Sequence, residues 1–434
     1  MPLLADEMTL SLGIDIGTSG VRTAVLDMQG TFLSQANVRH RPQTAGTVDA
    51  RQWWDTVRDC VRLQVSRLKA EDIDPHAITH AAIDGTSGTM VLVDDRLEPV
   101  TPALMYDTKG FEAEAAIIVR FAPQGSITIG SNSATARLLR LQALDTSGRS
   151  VHLMHQADYV LAKFCGQAAG SDDNNALKTG FDPALKCWPD WFEQAGICLP
   201  LLPSVRAVGA PAGLIDSQLA GDLGLFAGME FRAGTTDSVA AFVASGANQV
   251  GDGVTSLGTT MAFKLLADRR IDDAASGIYS HKLGSAWLVG GASNSGGGVL
   301  AAFFSHSDLV RLSKMIKADQ PTGLDYYPLN IPGERFPIND PNFMPRMTPR
   351  PEQDEIFLQG LLEGMARIEH DSYAALSARG APQLKRLFTA GGGTANQAWA
   401  AIRKIALGCP FEMGRSQEAA FGTAMIALKG HDLT

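Results

Sequence analysis

The sequence predicts an α/β protein built as two similar halves, and three observations predict it. Apolar runs that read as strands alternate with segments of helical periodicity along the whole chain. Glycine turns follow strand-like runs at four places: DIGTSG at 15–20, DGTSG at 84–88, SLGTT at 256–260 and AGGGTAN at 390–396. The strand, glycine turn and strand that open the chain return after Ala247 as Val254–Leu257, the turn GTT and Met261–Leu266. That echo sets a boundary near 245–252 and two domains, 1–247 and 248–434.

In chain order, Leu10–Asp15 reads as a buried strand, Thr23–Asp27 as a second after a glycine turn, and Thr31–Val38 as a third. Gln52–Lys69 has helical periodicity, and Ile78–Ile83 is a further strand running into Asp84 and its glycine turn. Asp158–Phe164 and Ala184–Gln194 read as helices, Pro200–Pro211 as a proline-punctuated connector, and Ser238–Ser245 as a small-residue helix behind Asp237. Leu283–Ser307 lacks Asp, Glu, Lys and Arg, yet its middle, GGASNSGGG, is too polar for bilayer hydrocarbon, so it reads as strand, loop and helix. Thr322–Pro351, rich in proline and aromatics without a period, predicts an ordered surface loop. Ile356–Leu376 predicts a long amphipathic helix, Leu387–Ala390 a last strand and Glu418–Leu428 a terminal helix.

Composition bounds the function. With 434 residues, 45% of them hydrophobic, the chain is long enough for two or three domains with substantial cores. A net charge of −9 and the lack of any long basic run exclude nucleic acid and anionic membrane as expected partners. Five cysteines without a C-x-x-C spacing predict no disulfide framework and a reducing, cytoplasmic setting. The opening MPLLADEMTL has no basic n-region, so no signal peptide is expected. The nine histidines form no H-x-x-x-H pair, which gives a His/Cys metal site little support.

Glycine turns carrying Ser and Thr hydroxyls and unpaired N–H groups are anion cradles. One such loop is ordinary turn chemistry; four in one chain favour a polyanion such as a nucleotide. No lysine follows a glycine, which excludes a Walker A loop, and a dinucleotide fingerprint would need glycine where Asp15 stands. The first loop instead begins with a carboxylate, Asp15, ahead of Gly17, Thr18 and Ser19. A carboxylate beside a phosphate cradle suits a divalent cation lying between them; the alternative is an aspartate that caps the turn. Asp237, in AGTTDSVAAF, suits a helix N-cap and equally a carboxylate that accepts a hydroxyl proton.

At these residues the chain resembles the FGGY family of carbohydrate kinases. The resemblance runs from GIDIGTSGVRTAVLD (13–27) through AGTTDS (233–238), TSLGTT (255–260), GERFPINDP (333–341), LLEGMARI (361–368) and AGGGTANQAW (390–399) to EAAFGTAMIAL (418–428). YSHKLG (279–284), GGASN (290–294) and GLDYYPL (323–329) are similar to a short D-ribulose kinase or xylulose-kinase-like branch of cyanobacteria and plants. The loop AAIDGTSGTMVLVD (81–94) resembles the ribulose-kinase D-A-T-x-S…D loop, with Thr86, Ser87 and Gly88 where bacterial xylulose kinases carry Gln-Met-His. Of the family's W-x-D-x-R, Met105, Asp107 and Lys109 hold the three places.

The resemblance implies two actin/Hsp70/hexokinase-type (ribonuclease H-like) ATPase domains around a central cleft, with ATP and Mg²⁺ as cofactors. Asp15 would hold the Mg²⁺ through water, and Gly17, Thr18, Ser19 and Arg22 would form the first phosphate loop. Gly258 and Thr259 would form the second, with Gly297 a further nucleotide contact. Gly392, Gly393 and Asn396 would hold the adenosine, with Trp399 beside the base or, alternatively, in the core. Asp237 would be the catalytic base, and Ser87, Asp84 and Asp107, with Asp15 and Ser19, would face the sugar; the alternative for Ser87 is a residue that only shapes its turn. The implied reaction is phosphorylation of a pentulose at its terminal hydroxyl, D-ribulose to D-ribulose 5-phosphate, by a monomer or homodimer. D-xylulose or a glycerol-type polyol is the alternative substrate, and a non-enzymatic actin- or Hsp70-like nucleotide switch the alternative class.

Overall fold

The computed structural model describes residues 9–42 and 48–433. The opening residues read for a leader lie outside that range. The chain packs as two compact units. One comprises the residues through Ala244 together with His281–Gly284 and Glu418–Leu433; the other comprises Ser245–Ser280 and Ser285–Gln417. The expected division ran the second domain to the end of the chain, whereas the terminal helix packs with the first unit.

The sheet of the first unit is built from β1 (Leu10–Ile16), β2 (Gly20–Leu26), β3 (Phe32–Arg39), β4 (Ile78–Gly85), β5 (Pro211–Leu214) and β6 (Glu230–Thr236), ordered β3-β2-β1-β4-β6-β5. β1 pairs antiparallel with β2 and parallel with β4, and β4 pairs parallel with β6. Every residue of β1 is buried, as expected of a central strand covered on both faces. Helix α1 (Arg51–Ala70) supplies one cover, with Trp53, Val57, Val61, Val65 and Leu68 buried at helical spacing. The same core takes in α2 (Gln156–Cys165), through Tyr159, Val160 and Phe164, while α3 (Asp173–Thr179) and α4 (Asp237–Ser245) follow in the chain.

In the second unit, β7 (Asp252–Leu257), β8 (Met261–Ala267), β9 (Ala286–Ser293), β10 (Arg386–Ala390) and β11 (Phe411–Glu412) run in the order β9-β8-β7-β10-β11. β7 is antiparallel to β8 and parallel to β10, so β7, β8 and β10 repeat the relation of β1, β2 and β4. The echo read from the sequence is therefore a repeated sheet topology. Helices α5 (Gly297–Phe303), α6 (Asp354–Ala378) and α7 (Gln397–Leu407) belong to this unit. The terminal helix α8 (Ala419–Lys429) crosses β1 so closely that a Cβ on Gly13 would stand 2.0 Å from the Ala420 carbonyl oxygen. Among the described residues no helix is long and apolar enough to cross a membrane; Leu283–Ser307 contains β9, a glycine turn and α5.

One expected helix is absent: 184–194 is a series of turns. The Asp182 carboxylate accepts from the N–H groups of Ala184 and Leu185, and Lys186 sits at φ 56°, in the left-handed region. Pro189 then withholds a backbone donor, and Trp188 and Trp191 pack against Phe192. The apolar periodicity was that of an aromatic cluster. Leu387–Ala390 is also not the last strand, because the two-residue β11 follows it. Thr322–Pro351 is the expected loop without helix or strand, pinned by the bridges Tyr327↔Arg346 and Glu334↔Asp340.

Candidate active site

Parallel pairing of β1, β4 and β6 brings three aspartates to one edge of the first sheet. The register sets Asp15 opposite Asp84 and Asp84 opposite Thr235, two residues before Asp237, with which α4 begins. Asp15 is 5% exposed and Asp84 fully buried. Burial is the main cause that pushes the Asp15 carboxyl up to about 6; the negative charges of Asp237 and Glu418 add to it, while a hydrogen bond with Asp84 and the Arg22 guanidinium oppose it. Asp84 is raised well above the carboxylate range by burial and by the charge of Asp15. Two carboxyls share a hydrogen bond only when one keeps a proton, and burial favours the neutral form of both. The Thr423 hydroxyl of α8 donates to Asp84 Oδ2. Fully buried and bonded to Thr423 through Oδ2, Asp84 presents no exposed surface to a sugar.

Asp237 is half-buried, and its Oδ1 accepts from the Ser238 N–H at 2.6 Å. Its charge, like that of the exposed Asp107, acts on Tyr106, whose phenol is raised by burial first and by these two carboxylates next. Tyr106 is 45% exposed and was missed in the sequence; its only signal was its place between Met105 and Asp107. Arg137, inside its own helix Ala134–Leu144, donates to the carbonyls of Gly88 and Tyr106 and so ties the DGTSG turn to Tyr106. Among the described residues Ser87 Oγ is buried without a hydrogen-bond partner, a costly state for a hydroxyl unless a ligand fills it.

The first glycine loop leaves Thr18 and Ser19 exposed after β1, and Gly17 N–H closes the turn on the Gly20 carbonyl at 3.0 Å. The Gly17 carbonyl meets His40 Nε2 at 3.0 Å. A carbonyl only accepts, so Nε2 carries the proton, and burial lowers the imidazole pKa below its usual value. Arg22 lies 3.6 Å from Asp15 and 3.5 Å from Glu418.

In the second unit the turn Gly258–Thr260 is exposed after β7. The Gly258 and Thr259 carbonyls accept from Gly297 N–H at 2.8 Å and Gly298 N–H at 2.9 Å. A planar trans peptide points its N–H opposite to its C=O, so the N–H groups of Thr259 and Thr260 face away from that anchor, as an anion nest requires. The glycines divide into two kinds. A Cβ on Gly17, Gly258 or Gly392 would meet nothing closer than 3.4 Å, and none has a positive φ, so neither packing nor backbone calls for glycine there. A cradle that must admit phosphate oxygens does. On Gly297 a Cβ would stand 2.9 Å from the Gly258 carbonyl, and on Gly393 2.7 Å from the Trp399 ring. Those two are required by packing.

Three residues expected to contact the nucleotide are engaged by the protein itself. Gly297 spends its N–H on Gly258. Asn396 commits its side chain to the protein, its oxygen capping α7 at Trp399 N–H, 3.0 Å, and its amide nitrogen donating to Ser313 Oγ, 2.9 Å. Trp399 is 2% exposed and packs in the core beneath the turn, with no face open to a base.

Known proteins match the two ends of the chain separately. Residues 10–127 match the N-terminal domain of the FGGY family of carbohydrate kinases, and residues 253–430 match its C-terminal domain. A xylulose kinase of Escherichia coli is 23% identical over 350 residues, covering 76% of this chain and 70% of that protein. One from Staphylococcus xylosus is 20% identical over 98% of this chain and 91% of its own length. A ribulokinase of Staphylococcus saprophyticus is 20% identical over 50% of this chain and 47% of its own. Among solved structures, a xylulose kinase from Brucella ovis superposes with a TM-score of 0.86 at 22% identity, over 97% of this chain and 90% of that one. Matched at both ends by the family's two domains, the chain belongs to the FGGY family of carbohydrate kinases.

Proposed function

We propose that this chain transfers the γ-phosphoryl group of ATP to the terminal hydroxyl of a pentulose, with D-ribulose as its substrate. The observation that carries the reading is the gathering of Asp15, buried Asp84 and half-buried Asp237 at the ends of three adjacent strands. Phosphoryl transfer is mainly positioning and charge stabilisation. Asp237 orients the attacking hydroxyl and takes its proton as the new P–O bond forms. The N–H groups of Thr18, Ser19, Thr259 and Thr260 hold phosphate oxygens, while those of Gly17 and Gly258 close their turns on the Gly20 and Thr260 carbonyls; Arg22 offsets the phosphate charge. Among the described residues no three metal-ligating side chains gather into a cage. Mg²⁺ needs none, since it is held by one or two carboxylates plus phosphate oxygens and water, and Asp15, beside the first phosphate turn, fits that role. When bound, Mg²⁺ supplies neutralisation of the phosphate charge. Asp84, by donating its proton to Asp15, keeps that carboxylate oriented.

The DGTSG turn, with its unpartnered Ser87 hydroxyl, supports D-ribulose. The xylulose kinases among the relatives support D-xylulose as the second reading. A coupled ADP-release assay over D-ribulose, D-xylulose, L-ribulose and glycerol tests both. Turnover that depends on none of these sugars or polyols overturns the kinase reading, and a higher kcat/KM for D-xylulose overturns the ribulose assignment.

A further inference from the structure

Glu334, in GERFPINDP, is 2% exposed, and its carboxylate collects four hydrogen bonds. Oε1 accepts from Asn294 N–H at 2.7 Å and Arg335 N–H at 2.8 Å. Oε2 accepts from Ser293 Oγ at 2.6 Å and Tyr327 Oη at 2.9 Å. Two of these donors belong to the end of β9, and the chain that leaves them leads directly to the second glycine turn. Ser293 Oγ in turn accepts from Ser295 N–H, and the Ser295 carbonyl accepts from Met261 N–H at the start of β8. Gly297 and Gly298 then hold the carbonyls of Gly258 and Thr259. Asn294 Nδ2 adds a bond to the Gly333 carbonyl at 3.0 Å, so the loop and the turn are joined on both sides of Glu334.

We infer that Glu334 is a positioning residue for nucleotide binding: it braces the 293–298 turn, and that turn aims the Thr259 and Thr260 N–H groups at phosphate. The inference rests on reading Gly258–Thr260 as a phosphate turn. The four donors make it separable from plain core packing. In Glu334→Gln, Oε1 still accepts from the two backbone N–H groups, which cannot reverse. The new amide nitrogen donates to Ser293 Oγ and Tyr327 Oη, whose hydroxyls can turn from donor to acceptor. Glutamine therefore rescues all four bonds, while Glu334→Ala strands two buried N–H groups and frees the turn.

The experiment measures affinity for Mg²⁺ with the non-hydrolysable analogue AMP-PNP by calorimetry, together with KM for ATP and for the sugar, in the full chain. Glu334→Ala is expected to weaken AMP-PNP binding by about tenfold, and Glu334→Gln to stay within about twofold, with KM for the sugar unchanged in both. Gly258→Ala, whose methyl has room in the protein, tests the underlying reading by crowding a bound phosphate. If Gly258→Ala binds AMP-PNP as the wild type does, the phosphate-turn reading fails. If Gly258→Ala weakens binding and Glu334→Ala does not, the brace fails alone. Equal damage by glutamine and alanine, or equal losses in sugar and nucleotide affinity, also overturns the brace. Should Glu334→Ala not fold, Ser293→Ala and Tyr327→Phe each remove one of the four donors and are expected to weaken AMP-PNP binding by about threefold; wild-type binding in both overturns the brace.

Discussion

In the first unit the carbonyl of the leading glycine turn is held by a side chain, His40 Nε2 on Gly17 at 3.0 Å; in the second the carbonyls of the matching turn are held by backbone, the N–H groups of Gly297 and Gly298 on Gly258 and Thr259. The two sheets repeat one topology, yet they furnish their strand ends differently. The first places carboxyls there, Asp15 and Asp84, with Asp237 close behind β6. The second places glycines and hydroxyls there and keeps its one buried carboxylate at this turn, Glu334, behind the turn with all four acceptor positions filled. Repeated backbone therefore fixes where a turn can present N–H groups. The residues that follow each strand decide whether that end performs chemistry or only holds.

The largest expected effect tests whether the chemistry belongs to the first unit alone. Asp237→Asn is expected to lower kcat by about 10²–10⁴-fold, the usual contribution of a general base, while AMP-PNP affinity is unchanged. ADP release and calorimetry on the same preparation check it. A variant that keeps more than about a tenth of wild-type kcat removes Asp237 from that role and erases the contrast between the units.

Two adjacent glycines sharpen the second half of the comparison. Gly393→Ala sets a methyl 2.7 Å from both the Trp399 ring and the Leu257 side chain, and overpacking of this kind costs about 1–3 kcal/mol, read as a fall in the urea midpoint. Gly392→Ala meets nothing within 4 Å and is expected to leave the midpoint unchanged while raising KM for ATP several-fold. If both variants lose only stability, the turn does not meet the nucleotide.

Much of this was legible in the sequence, and what was not has identifiable causes. β1, β4 and β7 were readable because central strands are apolar and run into glycine, and β2 and β8 because each opens after a glycine turn. The order of DIGTSG, GTTDS and LGTT placed Asp15, Asp237 and Gly258 on their turns. What one sequence does not carry is which neighbour a side chain will find. Asn396 and Trp399 sit in the right loop, but the cap of α7 and the core beneath it consume them. Asp84 is one residue short of the turn, and only the register with Asp15 and the arrival of Thr423 from the far end of the chain show what surrounds it. The helix 184–194 failed because aromatic residues at near-helical spacing serve a cluster of turns equally well.

The acid pair makes the first unit sensitive to pH. A carboxyl raised from its usual value to about 6 binds more protons folded than unfolded between about pH 4 and 6, so stability falls as pH rises through that window. Asp84, raised well above its ordinary value by burial, acts in the same direction. In Asp84→Asn the amide keeps both bonds, its oxygen accepting from Thr423 and its nitrogen donating to Asp15, without a proton to lose. Urea midpoints in EDTA at about pH 4.5, 6 and 8 are expected to fall with pH in the wild type and less steeply in the variant. Parallel curves would show that Asp84 does not hold the proton.

The smallest expected effect concerns sugar choice, where the DGTSG turn of the first unit is set against the relatives' names. D-ribulose and D-xylulose differ only in configuration at C3, so discrimination has to come from hydrogen bonds to one hydroxyl. Among the described residues Ser87 Oγ is buried and has no partner, while its neighbour Thr86 is already satisfied by Gln156 Oε1 at 2.8 Å. A hydroxyl in that state gains a bond from a correctly placed sugar oxygen and is left unpaired by the epimer, which is how a polar site discriminates more sharply than an apolar one. Wild type is therefore expected to favour D-ribulose. Ser87→Ala is expected to lower kcat/KM for D-ribulose by about 5- to 10-fold, in line with one lost hydrogen bond, and to change D-xylulose less, so that the ratio narrows. Steady-state kinetics on both sugars with both proteins checks it. A ratio unmoved by Ser87→Ala would mean that Ser87 only shapes its turn, and would shift the choice of sugar to the group around Tyr106 and Asp107, where the Asp107 carboxylate helps to raise the Tyr106 phenol.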